Sequence, residues 1–325
     1  MKLSIIVPVY NCEDKIGRML DSILSYDEEF EIICVNDGST DNTLQVLKKF
    51  KDKRINIYTK ENGGTFKAWQ YGLQYAIGEY VCIMDQDDYV DKEGFSIVFD
   101  FINNIKADVL FTPYYLEQEN GNNKIVAIPF NEGLYRGKKL ERIRAKLCSG
   151  LVPYAKFSKV IRKKVLEEQV KNTYQGYIQD FEDWLTMIQV LSTIDSLYIK
   201  NKAYYHYIQY NNSNSGSKST KSYRKNYKSL HNMISFLDDN SYSVLDNECI
   251  DSIYFYASRI LIYKCIKIKE FSLANKILKD KRFLNFIPKA NLGSYERIML
   301  RLNNARLIYL LYITKKKISG LINHA

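Results

Sequence analysis

Up to Glu93 the chain alternates between short apolar runs and amphipathic stretches. Leu3 to Val9 is an apolar run with β-branched residues, ended by Pro8 and by Tyr10-Asn11, and reads as a central parallel strand. Ile16, Met19, Leu20, Ile23 and Leu24 recur at i, i+3, i+4, i+7 and i+8, the spacing of an amphipathic helix. Phe30 to Val35 is a second strand, ended by Asn36-Asp37-Gly38-Ser39. Thr40 or Asp41 can cap the next helix, whose apolar face is Leu44, Leu47 and Phe50. Ile55 to Tyr58 is a third, shorter strand. Asn62-Gly63-Gly64 turns the chain into a helix through Trp69, Leu73 and Ala76, and Val81 to Met84 is a fourth strand. This βαβαβαβ order predicts an α/β fold with a doubly wound, mostly parallel sheet and helices on both faces.

Beyond Glu93 the pattern loosens. It predicts a helix at about 93–105, a strand at Ala107 to Thr112, and a hairpin from that strand to Lys124–Ile128 across a polar segment. A helix follows at 176–194, with Trp184, Ile188 and Leu191 on one face. Asn211 to Thr220 is a Ser/Asn/Gly/Lys stretch that reads as a boundary, and everything after Lys221 reads as helical. The expected organisation is an α/β domain at 1–215, in halves 1–95 and 96–215, then a helical region at 216–325.

Charge sharpens that division. Residues 1–199 hold 25 Lys and Arg against 29 Asp and Glu, whereas residues 200–325 hold 22 against 8. The basic C-terminal half suits an anionic partner or an ordinary solvated helical surface. No basic-aromatic motif supports nucleic acid as that partner. The six cysteines show no CxxC spacing and read as free thiols, as in a reducing compartment. The chain enters a strand at once from Met1 without a signal-peptide layout, and no stretch approaches the ~20 apolar residues of a spanning helix. A cytoplasmic protein is expected.

The candidate chemistry sits where the strands stop. Asp85, Asp87 and Asp88 put three carboxylates in four positions at the end of the fourth strand. Unpaired burial would be costly, so they belong in an open crevice, where hard oxygen ligands suit Mg²⁺ or Mn²⁺. The ends Pro8-Val9-Tyr10-Asn11 and Asn36 to Asp41 share that edge of a parallel sheet, where ligands bind in doubly wound folds.

The ordered motifs S-I-I-V-P-V-Y-N, E-I-I-C-V-N-D-G-S-T-D, N-G-G-T-F-K-A-W-Q-Y-G and G-E-Y-V-C-I-M-D-Q-D-D resemble the family 2 glycosyltransferases. The resemblance runs over about 1–95 and, more weakly, to about 215. It implies an inverting, metal-dependent enzyme with the Rossmann-like, A-type nucleotide-sugar-binding fold. By the same resemblance Pro8, Val9 and Tyr10 border the base, with Asn11 beside them, and Asp37 bonds a pyrimidine N–H. Asn62 and Gly63 bring backbone close to the nucleotide-sugar, and Lys67 lies near phosphate or on a solvated helix surface. Asp85, with Gln86 next to it, binds ribose or sugar, and Asp87 holds Mn²⁺ or Mg²⁺, helped by Asp88.

An inverting transfer also needs a base facing the leaving group. Glu182-Asp183 resembles the family's ED motif, with Asp183 as base and Glu182 touching the acceptor; Asp180 is a rival one helical turn away. The stretch Ala203-Tyr204-Tyr205-His206-Tyr207 resembles the start of a phosphate-closing loop of the family. It is followed by Ile208 and Gln209 where an Arg is common, so His206 or lysines near 218–221 are the expected substitutes. Leu307 to Ile313 beside Lys315, Lys316 and Lys317 suits weak contact with an anionic membrane surface, or a docked helix or dimer contact.

The expected function is transfer of a sugar, most simply from a UDP-sugar, to a hydroxyl of a glycan or lipid-linked saccharide in surface-polysaccharide synthesis. The alternatives are a non-catalytic partner subunit of the same fold and a sugar-phosphate nucleotidyltransferase. The latter needs a Gly-rich loop after the first strand, which Pro8-Val9-Tyr10-Asn11 does not supply. Sugar, acceptor and oligomeric state are left open.

Overall fold

The computed structural model describes residues 1–119, 121, 123–148, 155–171, 181–210, 220–239, 245–290 and 292–311. Asp180, the 211–219 stretch, Lys315 to Lys317 and His324 lie outside them. The chain divides into two compact units: Met1–Arg144 with Val152–Thr173 and Asp183–Ser213, and Ala145–Leu151 with Tyr174–Glu182 and Asn214–Ala325.

In the first unit β1 (Leu3–Val9), α1 (Ile16–Leu24), β2 (Phe30–Asp37), α2 (Thr43–Lys49), β3 (Ile55–Lys60), α3 (Thr65–Leu73) and β4 (Tyr80–Ile83) follow the expected alternation. β1 pairs in parallel with both β2 and β4, and β2 with β3, so the order is β3-β2-β1-β4. The register sets Val9 opposite Asn36, which brings the ends of β1 and β2 to one edge. Ile16, Met19, Leu20 and Ile23 of α1 are buried, each contributing about 1.5–3 kcal/mol relative to exposure. All of β1 and β2 is buried, so their polar residues need partners. Ser4 donates to Glu31 Oε1 at 2.5 Å, which also accepts from the Ile77 N–H at 2.8 Å. Gly78 donates to Ser4 Oγ, and a Cβ there would stand 2.5 Å from the Ser4 nitrogen, so no larger residue fits this turn.

The rest of the unit extends the sheet and adds a second one. Its elements are β5 (Tyr89–Val90), α4 (Ser96–Asp100), β6 (Val109–Phe111), β7 (Tyr114–Gln118), β8 (Lys124–Val126), β9 (Gly133–Arg136), α5 (Gly137–Cys148, of which only the part up to Arg144 belongs to this unit), β10 (Lys159–Arg162), α6 (Lys163–Lys171), α7 (Glu182–Thr193, from Asp183 on in this unit), β11 (Ser196–Ile199) and β12 (Tyr205–Gln209). The helix expected at 93–105 is α4 followed by a π-helical turn, Phe101–Ile105. The large sheet continues β4-β10-β6-β11-β9, with β10 antiparallel to both neighbours, so its second half is mixed. The small sheet has the order β5-β12-β7-β8.

The hairpin partner of Lys124–Val126 is β7, not the 107–112 strand, which joins the large sheet as β6. Pro113 stands between β6 and β7. It lacks a ladder N–H, so pairing breaks there and the chain changes sheet.

The second unit is helical: α8 (Thr220–Asp239), α9 (Asn247–Lys267), α10 (Phe271–Leu278), α11 (Lys281–Phe286), α12 (Ser294–Arg301) and a helical segment at 305–311. Asp246, Glu270 and Asp280 cap α9, α10 and α11 by accepting backbone N–H groups of the first turn. Ile253, Phe255, Leu261 and Cys265 of α9 are buried. Cys12, Cys34, Cys82, Cys249 and Cys265 are free. No described helix is long and apolar enough to cross a membrane.

Candidate active site

The site lies in the first unit, along the edge where β1, β2 and β4 end. Pro8 and Val9 are still inside the covered sheet, and exposure begins at Tyr10 and Asn11. Gln86 grips Tyr10 twice: its Oε1 accepts from the Tyr10 N–H at 2.6 Å and its Nε2 donates to the Tyr10 carbonyl at 3.0 Å. The amide thus extends the β1–β4 contact beyond the last ladder bond. Asn11 adopts a positive φ of 45°. Its Oδ1 accepts from the Thr40 N–H at 2.8 Å, which ties the β1 end to the β2 end.

Asp37 organises the loop before α3. Its carboxylate accepts from Lys60 Nζ at 2.6 Å, from the Gly63 N–H at 3.0 Å and from the Gly64 N–H at 2.7 Å, and its carbonyl accepts from Asn62 Nδ2 at 3.0 Å. Asp37 is buried, so it acts here by shaping the Asn62-Gly63-Gly64 turn. Gly38 has φ +72°, and a Cβ on it would stand 2.9 Å from the Asn62 nitrogen. Lys67 is exposed in the first turns of α3, its chain beside Gly63.

The acidic loop is held from the small sheet. Tyr205 of β12 donates to Asp88 Oδ2 at 2.7 Å and accepts from the Asp85 N–H at 3.0 Å, while the Ile208 N–H donates to Asp88 Oδ1 at 2.9 Å. Asp88 is fully buried with both oxygens engaged, so the expected second metal ligand is instead the anchor of the loop. Burial, then the Asp85 charge, push its carboxyl well above the usual range. Asp85 and Asp87 are half-buried. Burial raises Asp85 to about 6, with Asp183 and Asp87 adding to the rise and Lys156 opposing it. Burial raises Asp87 as well, against the fields of Lys15 and Arg18.

Asp183, in the first turn of α7, is ion-paired through Oδ1 with Lys156, which is buried. The neighbouring Tyr114 hydroxyl is pushed up to about 12 by burial and by the charges of Tyr207, Asp183 and Asp88. Asp85, Asp87, Asp88, Lys156 and Asp183 therefore share one electrostatic environment, although the acidic loop and Asp183 are far apart in sequence. Glu182 opens the same helix.

Two cations that sequence reasoning misses come from α1 and the turn before it. Arg18 donates to the Asp87 carbonyl at 2.6 Å and to the Tyr210 hydroxyl at 3.1 Å, and Lys15 Nζ lies 3.6 Å from the centre of the Tyr210 ring. His206, an expected phosphate partner, is bonded instead to Glu117 at 2.6 Å and stacked between Tyr89 and Tyr115. Lys156 also escapes it, and so does the bracing role of Tyr205, which reads as part of an aromatic stretch. A lone lysine near a strand, or a tyrosine in an aromatic strand, carries no signal that distinguishes it from packing.

Among the described residues no group of three or more His, Cys, Asp and Glu gathers to hold a metal ion. Two half-buried, mutually repelling carboxylates nonetheless fit a hard cation such as Mg²⁺ or Mn²⁺, which completes its shell with phosphate and water.

Comparison with known proteins adds a family to this geometry. The model of glycosyl transferase family 2 matches residues 4–169. A poly(ribitol-phosphate) β-glucosyltransferase of Bacillus spizizenii is 31% identical over 190 residues, covering 56% of this chain and 28% of that protein. The poly(ribitol-phosphate) β-N-acetylglucosaminyltransferase TarS of Staphylococcus aureus is 39% identical over 116 residues, 34% of this chain and 20% of TarS. The chain thus matches less than a third of the length of either relative. The crystal structure of S. aureus TarS 1–349 in complex with UDP-GlcNAc aligns with a TM-score of 0.64 at 22% identity, covering 98% of this chain and 92% of that one. The mannosyltransferase PcManGT of Pyrobaculum calidifontis, in complex with GDP-Man and Mn²⁺, aligns at 0.52 with 14% identity over 95% and 86%. At these identities the structural likeness speaks to the fold.

Proposed function

Because the chain belongs to glycosyl transferase family 2, we propose that it moves a sugar from a nucleotide-sugar, most simply a UDP-sugar, to an acceptor hydroxyl with inversion. The carrying observation is that Asp85, in the acidic loop held by Tyr205 at the end of β4, feels the charges of Asp87 and of Asp183, the partner of buried Lys156. An inverting displacement needs a base on the acceptor side, which Asp183 would supply, and stabilisation of charge on the donor side, to which Asp85 and Asp87 would contribute through a bound cation. The relatives named for poly(ribitol-phosphate) support a phosphate-bearing surface polysaccharide, or its lipid-linked precursor, as acceptor.

Each residue then has a task. A divalent cation, held by Asp87 with Asp85, would offset charge on the leaving diphosphate. Tyr10 and Gln86 would form the floor under the base, and the Asp37-held turn of Asn62 and Gly63 would close its edge. Lys15 and Arg18, beside Asp87, would face the diphosphate where the family's common Arg is missing. Asp183 would take the proton from the acceptor hydroxyl as its oxygen bonds the anomeric carbon and the bond to the diphosphate breaks. Glu182 would contact the acceptor. The C-terminal segment would make weak contact with anionic lipid, and co-sedimentation with such vesicles at low salt tests that part.

The central test is donor hydrolysis. UDP-, GDP-, dTDP- and CMP-sugars are incubated with the protein and Mn²⁺ or chelator, and nucleotide release is followed. Release from one donor, lost with chelator and in Asp87→Asn, is expected. Silence across the panel, with no rise in melting temperature from UDP plus Mn²⁺, would favour the non-catalytic partner subunit.

A further inference from the structure

Lys156 is 3% exposed, yet its partner Asp183 is 32% exposed. The pair is therefore asymmetric, with the cation inside and the carboxylate opening outward. Burying an ammonium costs several kcal/mol unless a well-placed anion offsets it, and here Asp183 Oδ1 is a bonded partner. The lysine is held in place by its neighbours. Phe157 stacks on Tyr205 at 4.7 Å and on Tyr207 at 5.0 Å, and the Ser158 carbonyl accepts from Thr112 Oγ1 at 3.0 Å. The Lys159 N–H bonds the Lys156 carbonyl at 3.1 Å. This buried cation pairs with the acceptor-side Asp183, and its charge also acts on the donor-side Asp85.

We propose that Lys156 is a positioning residue for proton transfer: by gripping Asp183 Oδ1 it fixes the carboxylate and leaves Oδ2 to receive the acceptor's proton. The inference rests on the proposed role of Asp183 as base. It separates Lys156 from a simple structural ion pair, whose loss would weaken folding and all ligand binding alike. It also separates Lys156 from a donor-phosphate ligand, whose loss would raise the donor KM.

The test measures transfer by Lys156→Met, Lys156→Arg, Asp183→Asn and the double variant Lys156→Met/Asp183→Asn, with thermal shifts by UDP plus Mn²⁺ alongside. Misplacing a catalytic group can cost roughly 100-fold, so Lys156→Met should lose about that much in kcat. Its donor KM and its UDP-induced thermal shift should stay as in wild type. In the Asp183→Asn background the same change should lower transfer less than about 3-fold further, since the two residues act as a unit. Lys156→Met that keeps wild-type kcat beside an inactive Asp183→Asn overturns the inference and leaves the base assignment standing. A raised donor KM at unchanged kcat also overturns it. Near wild-type turnover in Asp183→Asn removes the base assignment itself. Should Lys156→Met not fold, Lys156→Arg decides: a kcat loss of roughly 10-fold at unchanged donor KM supports the inference, and wild-type kcat refutes it.

Discussion

Tyr205 donates its phenolic proton to Asp88 Oδ2 at 2.7 Å, so a strand of the small sheet holds the acidic loop at the end of β4. The same phenolic oxygen accepts from the Asp85 N–H at 3.0 Å. Tyr205→Phe would leave a buried carboxylate oxygen and a backbone N–H each short of a partner, a loss of about 1–3 kcal/mol. The unfolding midpoint in urea should fall accordingly, and the thermal shift by UDP plus Mn²⁺ should shrink. An unchanged midpoint would mean that the hydroxyl does not brace the loop.

Asp85 is raised from its ordinary 3.8 to about 6, chiefly by burial. The folded state therefore holds its proton more tightly than the unfolded chain. The corresponding stability is full below about pH 4 and is lost as pH rises through 6. Asp85→Asn should melt several degrees higher than wild type at pH 7.5, with the difference closing towards pH 4, while donor hydrolysis falls at least about 100-fold. Melting curves across that range are the check, and a pH-independent difference would contradict the cause assigned.

Lys159 is fully buried, its ammonium bonded to Ser158 Oγ at 2.6 Å and 4.9 Å from the centre of the Phe111 ring. Burial lowers it from 10.5 to about 7. Between those values the unfolded chain binds a proton that the folded chain does not, so stability from this residue rises with pH across the window. Lys159→Met should stabilise the protein at pH 7, by about 1–3 kcal/mol. The gain should fade by pH 10, and denaturant unfolding at the two pH values measures it.

Gly38 stands at φ +72° with the Asn62 backbone nitrogen 2.9 Å from where a Cβ would be. Gly38→Ala should cost more than about 1 kcal/mol and displace the turn that Asp37 holds. Nucleotide-induced thermal shift should drop with it. A variant that binds UDP as wild type would show that the turn does not border the base.

The half of the first unit that holds β1 to β4 is legible in the sequence because its signals are local. A parallel strand buried on both faces must be a continuous apolar run, as in Ile5 to Val7 and Ile32 to Val35, and α1 shows its face by spacing alone. The strand ends then have to share an edge, which puts Asn11, Asp37 and Asp85 together on chain order alone. What side chains do at that edge is decided by contacts distant in sequence. Asp88 reads like Asp87 in the chain, yet Tyr205 and the Ile208 N–H, both on β12, turn it inward as an anchor. Tyr114 to Gln118 shows no alternation of burial because it is half-covered throughout, so no pattern marks β7 and the hairpin is assigned to the wrong strand. Lys156 is one lysine among many until folding buries it against Asp183. Sequence alone determined the backbone order and its ligand-facing edge, because periodicity and strand breaks are written locally. Tertiary structure decided which acids are anchors, which face solvent and which cation pairs with Asp183, because burial and pairing depend on the residues that folding brings alongside.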